Sequence, residues 1–230
     1  MQKFQVMRMG KMNKKVIFLL AGWQNKLWMF RLFSKFLVLN GYHCITYAYD
    51  DDVLSPNTEK TIKHFNEVKE DILNKIKELK KAGYKSFSII GISLGSVISL
   101  MVANKSPEIS KIILNTTSID LSETVWRWDK VNPSFKEGLT QQDLTLSRLK
   151  EIWRDITPAN NISNLKDKKI LVYLSEKDEV IPFSLGKRLI KKFGEKNYSY
   201  TLVTNSKLNH LFTGIYNMLN FRSYLNFLKA

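Results

Sequence analysis

Two rhythms of apolar residues alternate along this chain. Apolar-rich runs at residues 16–20, 44–48, 87–90, 111–114, 170–174 and 198–203 have the length of strands. The continuous run at residues 16–20, ending at Ala21-Gly22, suits a strand covered on both faces of a parallel sheet. Between them lie stretches with helical spacing. Residues 27–39 carry apolar side chains every three or four positions and stop at Asn40-Gly41, a C-terminal helix signal. Ser55-Pro56-Asn57-Thr58 offers capping residues and an early proline to a long helix, whose stripe of Ile62, Phe65, Ile72, Ile76 and Leu79 runs to Gly83. Further helices are expected over 97–103, 184–193 and 211–228. Strands alternating with helices predict an α/β fold: a doubly wound, mostly parallel sheet of about six strands with helices on both faces. The alternation pauses at residues 116–166, which are polar, broken by Pro133 and Pro158, and carry Trp126, Trp128 and Trp153. An interval of about fifty residues is too long for a plain loop, so we read a short helical insertion within one domain spanning 1–230.

Composition narrows the class. A chain of 230 residues with 44% hydrophobic content and thirteen Phe has the material for a globular core. The single Cys44 lies in an apolar run, which rules out a disulfide framework and suggests a reducing, cytoplasmic setting. Residues 16–21 follow a basic stretch, but they are too short for a signal peptide and lack a cleavage site; no stretch approaches a membrane span. The net charge of +15 raises nucleic acid as a partner. Lysine dominates that charge and is scattered with Asn and Ile, as AT-rich coding produces, whereas arginine, which suits bidentate phosphate contacts, is sparse. No nucleic-acid role is therefore expected, although the long-range field favours anionic substrates or membrane surfaces.

The chemistry concentrates at Gly91-Ile92-Ser93-Leu94-Gly95, between a strand-like and a helix-like run. At such a junction a sharp turn holds the serine in a strained conformation, lifts its hydroxyl above the sheet and turns the following N–H groups toward a bound carbonyl oxygen. Gly91 and Gly95 suit a close crossing of strand and helix. A serine hydroxyl needs a base within hydrogen-bond reach, and the chain has three histidines. His64 falls inside the long helix and is expected on its flank or in solvent. His43 enters its strand at the amino end, away from a site built over the carboxyl ends. His210, between the last strand and the last helix, leaves a carboxyl end. An acid is then expected after Ser93 and before His210. Asp178, Glu176, Glu179 and Asp120 all qualify. Asp50-Asp51-Asp52 is read as a solvated turn rather than a metal cluster, because consecutive carboxylates do not readily converge on one ion.

These blocks resemble the α/β-hydrolase superfamily along nearly the whole chain from Val16. The carriers are Gly91-Ile92-Ser93-Leu94-Gly95, the loop from Ser175 through Asp178 to Val180-Ile181-Pro182, and His210 before the last helix. The acid loop is similar to the family's G-x-x-D-x-x-V-P pattern and so favours Asp178. The resemblance implies Ser93 as nucleophile, His210 as base, Asp178 as orienting acid, and the Leu94 N–H as one oxyanion donor. Leu20-Ala21-Gly22-Trp23 looks like the family's His-Gly-x turn, implying the Trp23 N–H as the second donor. Three positions depart from the pattern: Ala21 replaces the turn's histidine, Ser175 the acid loop's glycine, and Asn209 the glycine often found before the histidine. None removes a reacting atom. The short N-terminus implies that the family's leading antiparallel pair is reduced or absent.

The insertion falls where such enzymes carry a lid. Trp126, Trp128 and Leu121 are candidates to roof an apolar acyl pocket, with anchoring of the insertion as the alternative role; Trp28, with Trp23, is the alternative lining. The expected activity is hydrolysis of a carboxylic ester or thioester with an apolar acyl group through an acyl-enzyme, with no metal or organic cofactor. An acyltransferase on the same residues and a non-catalytic binding scaffold are the alternatives. A peptidase is less favoured, since no peptide-terminus pocket is evident in the sequence.

Overall fold

The computed structural model describes residues 3–230. Seven strands form one sheet: β1 (Phe4–Met9), β2 (Lys15–Leu20), β3 (Tyr42–Tyr49), β4 (Ser86–Ile92), β5 (Ile109–Asn115), β6 (Lys169–Ser175) and β7 (Tyr200–Asn205), in the order β1-β3-β2-β4-β5-β6-β7. All neighbours pair in parallel except β1, which runs antiparallel to β3. This is the α/β-hydrolase architecture, with β1 as its one antiparallel edge. The expected six strands were those of the apolar runs. β1, sequence FQVMRM, is an edge strand with a single deeply buried side chain, Phe4, so its composition does not announce it.

Alternate residues of a strand face opposite sides, and both sides of the central strands are apolar. In β2, Val16, Phe18 and Leu20 enter one core and Ile17 and Leu19 the other. The first core is covered by α2 (Thr58–Lys81), α3 (Leu94–Lys105) and α7 (Phe183–Glu195). The second is covered by α1 (Arg31–Leu39) and α9 (Phe221–Lys229), through Phe33, Leu37, Tyr224 and Leu228. The Asn57 side chain caps α2 by accepting the Lys60 N–H at 3.0 Å. Residues 27–39 divide into a 3-10 turn, Leu27–Phe30, followed by α1. Residues 211–228 do not form one helix: α8 (His210–Leu219) ends at Asn220, where the backbone turns into α9. The break keeps α8 over the carboxyl end of β5, where Asn217 bonds Asn115 at 2.9 Å, while α9 runs back until the Leu228 carbonyl accepts from Lys111 at 2.6 Å.

Residues 116–166 fold into α4 (Leu121–Trp126), α5 (Pro133–Thr140), α6 (Leu146–Ile152) and two 3-10 turns. Glu123 ties α4 to α6 and α7 through Lys150 and Arg188, with Arg127 of its own helix as a third partner. Burial opposes ionisation of Glu123, but hydrogen bonds from Arg188, Lys150 and Arg127 outweigh it and hold the carboxyl down at about 2. Trp153 is fully buried beneath these helices. At the far side, Gly138 packs so closely on Pro56 that a Cβ there would lie 2.9 Å from the ring.

Candidate active site

Ser93 stands between β4 and α3 with φ 52° and ψ −116°, a strained conformation for a residue with a Cβ. Two contacts fix the turn: the Ser93 N–H donates to the Asn115 carbonyl at 2.8 Å, and Ser96 Oγ donates to the Gly91 carbonyl at 2.9 Å. The flanking glycines answer to sterics. A Cβ on Gly91 would sit 2.5 Å from the Gly95 carbonyl oxygen, and one on Gly95 would sit 2.2 Å from the Leu20 carbonyl oxygen.

His210, the first residue of α8, turns Nε2 to within 3.0 Å of Ser93 Oγ. Its Nδ1 lies 2.8 and 2.9 Å from the two Asp178 carboxylate oxygens. An ionised carboxylate only accepts hydrogen bonds. It therefore holds the proton on Nδ1 and leaves the Nε2 lone pair for the serine O–H. Asp178 is held in turn: its Oδ1 accepts the N–H groups of Val180 at 3.0 Å and Ile181 at 2.7 Å, and its side chain is almost wholly buried.

The other candidates for the acid are occupied elsewhere. Asp120 caps α4, accepting the Glu123 N–H at 2.9 Å, and pairs with Lys150. Glu176 is exposed, and Glu179 accepts the His210 backbone N–H at 3.0 Å. The remaining histidines are also placed. His43 is buried at the amino end of β3, beside Tyr84. His64, expected on the flank or in solvent, is instead buried, with Nδ1 3.2 Å from the Asp52 carbonyl; the turn after β3 folds over this face of α2 and covers the ring. In that turn Asp51 pairs with Lys26 and Asp52 with Lys3, so the carboxylates diverge.

The Gly22-Trp23 turn lies against the serine: a Cβ on Gly22 would be 3.5 Å from that of Ser93. Asn25 Oδ1 accepts the Gly22 N–H at 3.1 Å. Among the described residues, neither the Trp23 nor the Leu94 N–H has a protein acceptor, and both residues line the cavity in front of Ser93. That cavity has a volume of about 720 Å³, with Leu54, Leu121, Trp128, Val180, Ile215 and Met218 in its walls. Trp128 is buried there, its Nε1–H donating to the Val180 carbonyl at 3.0 Å and its ring stacked on Trp23 at 5.6 Å. Trp28 lines the outer part and is exposed. Trp126 is not among the lining residues. Two positions from Trp128, it packs against the edge of the same core, with Lys136 Nζ 5.7 Å from its ring centre.

The departures from the hydrolase pattern prove to be structural. Ser175 Oγ donates to the Leu208 carbonyl, linking the acid loop to the histidine loop. Asn209 caps α8, accepting the Phe212 N–H at 3.0 Å. Ala21 is completely buried under the sheet's carboxyl edge. The positioning residues that sequence reasoning missed, Asn25, Asn115 and Asn205, all act on backbone groups or on a distant helix. Only Asn205, whose Oδ1 accepts from Lys207 N two residues on, carried a local turn signal.

A family model described as the prolyl oligopeptidase family (Peptidase_S9) matches residues 63–230. The chain belongs to that family. As a prolyl oligopeptidase-family member it is a serine hydrolase, and the matched span includes Ser93, Asp178 and His210 but stops short of the Gly22-Trp23 turn. Membership of a peptidase family also restores the peptide bond as a candidate substrate, which the sequence reading had disfavoured. Among solved structures, the chain is similar to an esterase from Exiguobacterium antarcticum (14% identity, TM-score 0.63, covering 100% of this chain and 98% of that one). It is also similar to the Pyrococcus furiosus esterase Pf2001 (19%, TM-score 0.68, covering 94% and 82%). A Pyrococcus horikoshii acylaminoacyl peptidase aligns at 16% identity and TM-score 0.70 over 94% of this chain but 36% of its own. At these identities the likeness speaks for the fold. No curated protein sequence matches the chain.

Proposed function

We propose that this prolyl oligopeptidase-family chain hydrolyses carboxylic esters or thioesters with an apolar acyl group, using Ser93 as nucleophile, His210 as base and Asp178 as orienting acid. The observation that carries the reading is the continuous relay from Ser93 Oγ through His210 to Asp178, opening on an apolar cavity. In the first half-reaction Ser93 Oγ attacks the carbonyl carbon while His210 Nε2 takes its proton. The tetrahedral oxyanion accepts hydrogen bonds from the Trp23 and Leu94 N–H groups, and the imidazolium returns its proton to the leaving alcohol or thiol. In the second, His210 draws a proton from water, which attacks the acyl carbon; collapse breaks the acyl–Ser93 Oγ bond, the imidazolium returns its proton to Oγ, and the acid leaves. Asp178 stabilises the imidazolium throughout. Residues 116–166 act as the lid, with Trp128 as the acyl-side wall.

The family match favours a second reading, cleavage of an acylated peptide at the same serine. The two separate by rate. Purified protein is offered p-nitrophenyl butyrate and an N-acylaminoacyl anilide. Preference for the ester, together with fluorophosphonate labelling that disappears in Ser93→Ala, is expected; preference for the anilide sinks the ester reading. Ser93→Ala itself is expected to lower turnover by about 10⁴–10⁶ while leaving Tm within a few degrees. A variant near parental activity would place the nucleophile elsewhere.

A further inference from the structure

Helix α8 is turned inside out. Thr213, Gly214 and Asn217 face the protein, where Asn217 and the Gly214 carbonyl bond Asn115. Leu211, Phe212, Tyr216 and Leu219 are each 54–58% exposed, and Ile215 lies with them on the outer face. Solvent-facing helices in soluble proteins ordinarily show the opposite pattern. Beside α8 the 27–39 segment adds Trp28, Leu32 and Leu39, exposed at 71%, 68% and 86%. The two segments form one surface: Trp28, Leu32, Leu211, Ile215 and Leu219 line the same cavity, and Phe36 stacks on Phe221 with ring centres 4.1 Å apart. An apolar face this large on a monomer marks a site of interaction.

The charge around it names the occupant. The first 49 residues carry eight Lys and Arg, the last 35 carry four, and neither stretch holds an Asp or Glu. Of these cations, Lys26, Arg31, Lys35, Lys207 and Arg222 lie exposed on or beside the apolar segments. Asp51 pairs with Lys26 and Glu179 accepts the His210 N–H, whereas Arg31, Lys35, Lys207 and Arg222 form no ion pair among the described residues. Two copies meeting through this face would oppose cation to cation, which disfavours a self-dimer. Among the described residues no helix is long and apolar enough to cross a membrane. A contact with lipid through this face is therefore peripheral.

We propose that the face formed by α8 and the 27–39 segment docks on an anionic phospholipid bilayer, with its aromatic and aliphatic side chains in the headgroup–acyl boundary and its cations on the lipid phosphates. The mouth of the Ser93 cavity then opens onto the bilayer. This inference does not depend on the ester reading, and its test measures binding rather than turnover. Full-length protein is floated with phosphatidylglycerol-containing vesicles and with pure phosphatidylcholine vesicles, at low and high salt. Phe212 and Leu39 line no part of the cavity, so Phe212→Ser/Leu39→Ser serves as the surface variant, with its Tm and far-UV circular dichroism as the check of its fold. Expected are binding to anionic vesicles, weakening as salt rises, and about tenfold weaker binding by a variant whose Tm and circular dichroism match the wild type. The proposal is overturned if the wild type fails to float with anionic vesicles, or if the variant binds as well as the wild type. It is also overturned by a dimer that the two substitutions make monomeric, which assigns the face to a second copy, or by binding to polyglutamate without binding to vesicles, which assigns it to an acidic protein.

Discussion

Asp178 serves three donors at once: His210 Nδ1 and the N–H groups of Val180 and Ile181. The backbone pair locks the carboxylate's orientation, so the imidazole tautomer follows from loop geometry. Asp178→Asn keeps the shape but presents an amide to Nδ1, and turnover is expected to fall by about 10⁴ through the wrong tautomer. Asp120→Asn is the control. It touches only the α4 cap and the Lys150 pair, so steady-state assays should find kcat/KM near the parental value. Equal losses in the two variants would remove Asp178 from the role proposed for it. The nucleophile and base proposed here, Ser93 and His210, were legible as candidates from residue type and position in the chain, because three histidines leave few alternatives. The proposed acid needed more: four carboxylates fitted the spacing, and the likeness of the Ser175–Pro182 loop to the hydrolase pattern favoured Asp178 before the fold set it beside His210 and Asp120 at the α4 cap.

At the scale of elements, the insertion is a braced structure: Glu123 joins α4, α6 and α7, and Trp153 is buried beneath. Trp126 and Trp128 were both candidates to roof the pocket, and the fold puts Trp128 in the cavity wall while Trp126 packs on the core edge beside Lys136. Trp128→Ala removes a cavity wall. For each acyl methylene that loses apolar contact, up to about 0.8 kcal/mol is forfeited, so preference for a chain four carbons longer is expected to shrink by up to about a hundredfold in relative kcat/KM. Acetyl ester turnover should change much less. Trp126→Ala, beneath Lys136, should leave the chain-length profile as it was. If the Trp126 variant instead shifts the profile and the Trp128 variant does not, the wall has been assigned to the wrong tryptophan. The break at Asn220 shows a limit of periodicity. The apolar rhythm runs through residues 211–228, but the first half leaves its apolar side chains outside and the second buries Tyr224 and Leu228.

Across the whole molecule, the centre of the fold is the crossing of α3 over β4 and β2, where a Cβ on Gly95 would lie 2.2 and 2.6 Å from the Leu20 and Ala21 carbonyl oxygens. Those atoms belong to the middle of the sheet and cannot move singly. Gly95→Ala is expected to cost roughly 3 kcal/mol or more, read as a lower midpoint in urea unfolding; a midpoint equal to the parent would mean that the crossing is looser than described. The sequence by itself determined the alternating α/β order, the parallel central strands, the serine turn and the histidine, because each rests on local periodicity or on a residue type with few substitutes. Tertiary structure alone decided the rest. It recruited β1 as an edge strand by pairing with β3, buried His64 under the Asp51 turn, set Asp178 beside His210 while Asp120 capped α4, and turned the apolar face of α8 outward. Each of these depends on which distant segment arrives alongside, and residue spacing along the chain carries no record of that.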